Sequence, residues 1–223
     1  MIRQKSKGLL IVVSGPSGAG KDTVCNRVIE EMKDTKISVS MTSREPRGKE
    51  VDGVEYYFVS KEEFEDKINN NEFLEYAKYN DNYYGTPKSS IIDKLNSGID
   101  VILEIEIQGA LKVKEIMPEA IFIFILPPSM KELRRRLVNR KTESVDKILA
   151  RFKTAYQEIN EVTKYNYVVV NDDLENAVNK VNSILLSEKC RVDRIEDIYL
   201  NNMEEEIHEL LVEKELENEN PVI

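Results

Sequence analysis

Gly8-Leu9-Leu10-Ile11-Val12-Val13-Ser14 runs directly into Gly15-Pro16-Ser17-Gly18-Ala19-Gly20-Lys21. The first seven residues show no polar alternation, which is the pattern of a strand buried on both faces of a parallel sheet. Lys21 to Lys33 then reads as a helix, with Val24, Val28 and Ile29 near one face and Asp22 in the first turn, where negative charge suits the helix dipole. Between strand and helix, the glycines let successive backbone N–H groups point into one concavity, and the helix amino terminus adds partial positive charge. Such a loop accepts the oxygens of a triphosphate such as that of ATP, and Lys21 can reach the β and γ oxygens. Gly15, Pro16, Ser17, Gly18, Ala19, Gly20, Lys21, Asp22 and Thr23 are therefore the candidate nucleotide-binding residues. The usual pattern has Ser or Thr directly after the lysine, whereas this chain has Asp22 there and Thr23 one place later. Asp22 either holds magnesium through water or points away and favours the helix start, leaving Thr23 to supply the hydroxyl; the second reading is preferred.

Working outward, comparable apolar runs recur at Val101 to Ile107, Ala120 to Leu126 and Tyr167 to Val170, so four core strands are expected. Helical stretches lie between them, at Lys88 to Ser97, Gly109 to Ile116, Met130 to Asn139, Val145 to Lys164 and Leu174 to Glu188. This alternation predicts an α/β fold, a doubly wound parallel sheet with a P-loop. Two segments interrupt it. Residues 38–87 read as an inserted α+β subdomain, with short strands near Glu55 to Val59 and at Tyr83 and Tyr84 and a helix from Lys61 to Asn69. Residues 129–151 read as a helical, arginine-dense insert. The core is then 7–37, 88–128 and 152–188, followed by an acidic extension, 189–223, in which Met203, Ile207, Leu210 and Leu211 share a helical face.

The chain has 223 residues, 41% hydrophobic and 33% charged, enough for one globular domain with inserts. Two cysteines, Cys25 and Cys190, are too few for a disulfide framework or a zinc cage. Neither an apolar run of about 18 residues nor a secretory leader pattern is seen, so the expectation is a soluble, cytoplasmic chain with no membrane partner. The net charge of −9 is unevenly spread: residues 188–223 hold 12 acidic and 4 basic side chains, the remainder 29 and 28. A polyanion would have to be held by locally placed arginine and lysine. The lone histidine, His208, lies in the tail and is not expected in catalysis.

Arg44 and Arg47 sit three apart around Pro46. Guanidinium forks bind phosphate oxygens two at a time, and the proline stiffens the spacing, so a second phosphate can be clamped, with Tyr56 and Tyr84 adding hydroxyls. Ser40-Met41-Thr42-Ser43-Arg44-Glu45-Pro46-Arg47, Gly53-Val54-Glu55-Tyr56-Tyr57-Phe58, Glu72-Phe73-Leu74-Glu75 and Asn82-Tyr83-Tyr84-Gly85-Thr86 follow in order. Together with Leu103-Glu104-Ile105-Glu106-Ile107-Gln108-Gly109-Ala110, Pro127-Pro128-Ser129 and Val170-Asn171-Asp172-Asp173, they resemble the guanylate kinase family over about residues 7–188.

The resemblance implies a fold of P-loop core, GMP-binding insert and helical lid, and transfer of the γ-phosphate of ATP to GMP or deoxy-GMP with Mg2+. It implies that Arg44, Arg47, Tyr56 and Tyr84 hold the GMP phosphate, that Ser40, Glu75 and Thr86 read the base, and that Glu104 borders the acceptor. Guanine's adjacent N1–H and N2–H2 donors suit a carboxylate, which is acceptor-only; adenine would leave lone pairs opposed. Lys21, Arg136, Arg140 and Arg151 match the family's phosphate-contacting cations, and Asn171 the residue at the adenine edge. Lys141 stands where a glycine is common. Glu104 and Glu106, alternating around Ile105, are expected on one side of the sheet, with Thr23 as further metal-site candidate, through water. GMP's phosphate is already an oxyanion at neutral pH, so no general base is needed. A catalytically weak, peptide-binding scaffold module is the alternative. A nucleic-acid partner is disfavoured because aromatics do not interleave with the lid arginines. A homo-oligomer or a partner for the tail stays open.

Overall fold

The described residues of the computed structural model are 2–5, 7–79, 81–139, 145–194, 197–200 and 211. Strand β1 (Ile2–Lys5) precedes β2 (Leu10–Ser14), the run of apolar residues that leads into the glycine-rich loop, and α1 (Lys21–Glu31) follows that loop. Next come β3 (Thr35–Ile37), β4 (Ser40–Thr42), β5 (Tyr56–Phe58), α2 (Lys61–Asn69), β6 (Phe73–Tyr79), β7 (Asn82–Pro87) and α3 (Lys88–Asn96). The remainder is β8 (Asp100–Glu104), α4 (Ile107–Ile116), β9 (Ile121–Leu126), α5 (Met130–Asn139), α6 (Val145–Ile159), β10 (Tyr167–Val170), α7 (Leu174–Lys189) and β11 (Asp197–Leu200).

Among the described residues the central sheet has five strands in the order β10-β9-β2-β8-β3, every pair parallel. Strand β2 lies in the middle, with Ile11 opposite both Ile102 of β8 and Ile121 of β9. Its side chains alternate between two cores: Ile11 and Val13 meet Val24 and Val28 of α1 and Val178 and Val181 of α7, whereas Leu10 and Val12 meet Ile91 of α3 and Val113 of α4. Burial on both faces explains why β2 is apolar up to Ser14, its last residue, whose hydroxyl is satisfied by the Ile105 carbonyl. One strand more is present than the four expected. The additional strand, β3, has only three residues at the sheet edge, one of them the exposed Lys36, so no apolar run announces it.

The insert forms a separate sheet, β5-β4-β7-β6. Strands β4 and β5 are parallel, and β7 runs antiparallel to both β4 and β6. Its helix, α2, is capped by the Ser60 side chain, which accepts from the Glu63 N–H at 3.1 Å, with Glu62 and Glu63 in the first turn and Lys67 in the last. Phe64 of α2 is fully buried and stacks on Phe73 at 4.4 Å and on Tyr83 at 5.3 Å. Leu74 instead turns into the main core beside Ala110 and Val113, which docks β6 on α4. The arginine-dense insert contributes α5, and its expected end at 151 falls inside the continuous helix α6.

The acidic extension is not wholly outside the fold: β11 pairs antiparallel with β1, Ile2 opposite Leu200 and Lys5 opposite Asp197. Of the proposed tail stripe, Leu211 is helical and exposed; Met203, Ile207 and Leu210, like His208, lie outside the described residues.

Because Phe64 anchors a core distinct from the main sheet, Phe64→Ala should cost about 3–5 kcal/mol locally. Hydrogen exchange should show amides of β6 and β7 losing protection while those of β2 and β9 keep it; uniform loss would mean that the insert has no core of its own.

Candidate functional site

The loop after β2 hugs the sheet. Gly15 has φ +149°, and a Cβ there would stand 2.2 Å from the Ile125 carbonyl oxygen of β9, so a side chain would push the loop off its strand. Gly20, at φ +88°, has the Asn171 amide nitrogen 2.5 Å from where its Cβ would be. That amide donates to the Ala19 carbonyl at 2.8 Å, and the Asn171 backbone N–H donates to Leu126 at 2.7 Å. Lys21 folds back across the loop, its Nζ donating to the Gly15 carbonyl at 2.9 Å. The helix N-cap, Gly20, has no side chain to satisfy the first N–H groups, which suits a loop that presents those donors to an anion.

Arg136 flanks the loop. Its Nη1 reaches the Ala19 carbonyl at 3.3 Å, its Nη2 the Asn171 carbonyl at 3.0 Å, and its Nε the Glu132 carboxylate at 2.9 Å. Arg135 and Arg136, in that order, hold the Glu132 carboxyl down at about 2. Leu133 and Leu137, one turn apart on the same helix, lie 3.2 Å from the position a Gly18 Cβ would take, so α5 packs directly on the loop. Arg151 is half-buried on α6; Arg140 and Lys141 lie outside the described residues.

Asp22 and Thr23 are exposed. The Asp22 carboxyl meets Glu104 at the end of β8; burial first, and then this contact, push the Glu104 carboxyl up to about 8. Asp22 thus faces the carboxyl end of the sheet, against the preferred reading that it turns away. Strand β8 ends at Glu104, and Glu106, the residue before α4, keeps extended backbone with φ −69° and ψ 157°. The charges separate: Glu104 acts on Asp22 and Cys25, whereas Glu106 acts on Glu75 and Glu158.

Glu158 was not found from sequence. Burial raises its pKa, Lys21 opposes that shift, Glu106 adds to it, and the carboxylate accepts from the Ser17 N–H of the loop. Its Oε2 is buried without a hydrogen-bond partner among the described residues. The available signal was its place seven residues after Arg151, two turns along the same face of α6.

Across α4 lies the insert. Thr42 Oγ1 donates to the Tyr83 carbonyl at 2.9 Å and accepts from the Arg44 N–H at 3.2 Å, while Ser43 Oγ accepts from the Tyr83 N–H at 2.9 Å, so the chain leaves β4 pinned to β7. Arg44 is 8% exposed and lies 5.4 Å from the Tyr56 ring and 5.7 Å from the Phe58 ring. Tyr56 and Tyr84 meet edge to face at 6.0 Å, and the Tyr84 hydroxyl contacts Arg44. Ser40 pairs with Tyr56 across β4 and β5. The Arg47 side chain is exposed. Glu75 and Thr86 are cross-strand partners, and the Thr86 hydroxyl donates to Glu75 Oε1 at 2.7 Å. A Cβ on Gly109 would stand 3.1 Å from Glu75 Oε2, so α4 approaches this carboxylate as closely as a residue without a side chain allows. Burial raises the Glu75 pKa; Thr86 and Lys112 partly offset it. The structure therefore gathers Arg44, Tyr56 and Tyr84 into one cluster and joins Glu75 to Thr86 across β6 and β7, with Glu75 facing Gly109 in the first turn of α4.

A family model described as guanylate kinase matches residues 7–188. The guanylate kinase of Caldanaerobacter subterraneus subsp. tengcongensis is 59% identical over 203 residues, covering 91% of this chain and 98% of that protein. That of Clostridium tetani is 60% identical over 205 residues, covering 92% and 98%. The crystal structure of guanylate kinase from Anaplasma phagocytophilum superposes with a TM-score of 0.69 at 36% identity, covering 86% of this chain and 92% of that one.

The Thr86 hydroxyl stabilises the ionised form of Glu75, so Thr86→Val should move the Glu75 titration to higher pH still. Carboxyl-resolved 13C NMR of the unliganded protein reads this directly; an unmoved titration would contradict the contact.

Proposed function

This chain belongs to the guanylate kinase family, and from that membership we propose that the loop of residues 15–23 holds the triphosphate of ATP while the insert holds GMP, with in-line transfer of the γ-phosphate between them. The enzyme is an ATP-dependent nucleoside monophosphate kinase whose products are GDP and ADP; relatives at this level of identity do not favour the scaffold alternative. The observation that carries the site assignment is the amino-terminal turn of α4. Glu75 abuts Gly109 on one side, and Glu106, one residue before the helix, acts on both Glu75 and the loop-bound Glu158, so the base-reading carboxylate and the phosphate loop share one charged crevice.

In this reading Arg44, Arg47, Tyr56 and Tyr84 receive the GMP phosphate, and Ser40, Glu75, Thr86 and Glu104 border its base and ribose. Ionised Glu75 accepts from the guanine N1–H and N2–H2, while Thr86 fixes its orientation. The GMP phosphate attacks as an oxyanion, its second ionisation lying near pH ~6, so the protein's task is to align two anions and neutralise their repulsion. Lys21 leaves the Gly15 carbonyl to follow the β and γ oxygens, and Arg136, Arg140 and Arg151 spread the charge of the transferring group. Closure of the lid, 129–151, excludes water, which would otherwise compete with GMP for the γ-phosphate. Asn171 serves the adenine side while its amide holds the loop at Ala19.

Magnesium fits the donors present. Asp22 and Glu104 are adjacent hard-oxygen groups beside Lys21, and an ion there would offset the like charge that adds to burial in raising the Glu104 pKa. Thr23 and Glu106 complete the candidate donors. When bound, the ion would neutralise the β and γ oxygens.

Coupled ADP release should be seen with GMP and be far slower with AMP, UMP or CMP; no turnover with any of them would return the scaffold reading. Glu75→Gln should erode GMP-over-AMP discrimination by on the order of a hundredfold, because buried donors and acceptors become mismatched. Burial favours the neutral acid of Glu75, so it protonates above the ordinary carboxylate range and loses an acceptor as pH falls. The KM for GMP should consequently rise more steeply with falling pH in the native enzyme than in Glu75→Gln, whose profile reports only the ionisation of the ligand's phosphate. Asp22→Ser should raise the magnesium concentration required for half-maximal rate; an unchanged requirement would remove Asp22 from the metal site.

A further inference from the structure

We propose that Glu50 is the positioning residue of the acceptor-phosphate site, a single carboxylate that ties Arg44 and Arg47 together and fixes which edge of the Arg44 guanidinium is offered to the phosphate. This rests on the reading of the insert as the GMP site. Glu50 lies in a turn that looks solvated from sequence, three residues after Arg47. In the structure its Oε2 accepts from Arg44 Nη1 at 2.8 Å and its Oε1 from Arg44 Nη2 at 3.0 Å. The Arg47 backbone N–H donates to Oε2 at 2.7 Å, and the Glu50 N–H returns to the Arg47 carbonyl at 3.0 Å. One side chain therefore closes the turn and grips the buried guanidinium.

Donor accounting shows the consequence. A guanidinium has five N–H groups. Both donors of Nη1 are spent, one on Glu50 and one on the Glu45 carbonyl at 2.7 Å, and one donor of Nη2 is spent on Glu50. The Nε–H and the second Nη2–H remain, to be shared between the Tyr84 hydroxyl, which contacts Arg44, and an incoming phosphate. They are parallel and form the side edge of the fork, a pair that matches two oxygens of a phosphate monoester.

Glu50 does not compete for that edge; it occupies the other one. It also supplies the counter-charge that a cation as buried as Arg44 requires while no acceptor is bound. Arg44 in turn, with help from the Arg47 N–H, keeps the Glu50 carboxyl below its ordinary range, so the grip persists wherever the GMP phosphate is ionised. Without the carboxylate, the guanidinium can rotate its free edge away from the ligand, and the turn carrying Arg47 loses its closing bond.

The test compares how much the phosphate group adds to binding. Dissociation constants for GMP and for guanosine, which lacks the phosphate, are measured by calorimetry on the full chain, and their ratio is the phosphate increment. Glu50→Gln keeps the size of the side chain, removes its charge and replaces one acceptor oxygen with an amide. It should lower the increment by roughly tenfold or more, the value of losing one charge-assisted hydrogen bond, with guanosine affinity within about twofold of native. Equal losses for guanosine and GMP would assign Glu50 only to holding the insert together and overturn the proposal. Tighter GMP binding would make Glu50 a competitor of the phosphate and also overturn it. Arg47→Ala is run in parallel: if it lowers the increment and Glu50→Gln does not, the proposal fails and the GMP site stands, whereas if neither variant lowers it, the site assignment fails as well.

Discussion

The carbonyl oxygen of Ala19 is shared by two donors, the Asn171 amide at 2.8 Å and Arg136 Nη1 at 3.3 Å. Three parts of the molecule meet at that atom: the phosphate loop, the chain just beyond β10, and the lid helix α5. A buried carbonyl facing two donors fixes the loop in the shape that turns its N–H groups outward, because the opposite face of the peptide plane is already committed. Gly20 leaves room for the Asn171 amide, and Gly15 lets the loop lie on β9. The anion site is thus organised from behind, and its donors need little rearrangement when charge arrives.

A second economy is the handling of carboxylates. Glu75, Glu104 and Glu158 all have raised pKa values, with burial as the largest cause in each case, and Glu106 and Lys21 link them electrostatically. Glu50 and Glu132 are held low by arginines instead. The first group lies in the interior, where burial favours the neutral acid over the carboxylate. The second group sits on the far side of the arginines and sets their orientation. Acceptors and counter-charges of the same chemical type are therefore sorted by what lies beside them.

How far this was legible in the sequence follows from the same physics. β2 could be read because burial on both faces removes polar residues, and α2 was placed residue for residue because Ser60 caps it and its charges follow the dipole. Short β3 was invisible, since three residues at an edge carry no pattern. Glu50 and Glu158 escaped notice for another reason. An acidic residue in a charged turn or on an exposed-looking helix reads as solvated, and only the folded chain reveals that its partner is a buried guanidinium or a loop amide. Of the residues assigned by family likeness, Arg136 is engaged with backbone carbonyls and Arg47 faces solvent.

The antiparallel ribbon of β1 and β11 joins the two ends of the chain across roughly 190 residues. A ribosome makes β1 before its partner, so at synthesis rates of about 5–20 residues per second β1 waits roughly 10–40 s with its hydrogen-bonding edge unanswered. During that interval the nascent amino terminus is an open template for neighbouring polypeptides on the same messenger. The working crevice can close before the ribbon does, because every strand of the central sheet has emerged by Val170. Birth order thus separates the assembly of the catalytic body from the sealing of its ends.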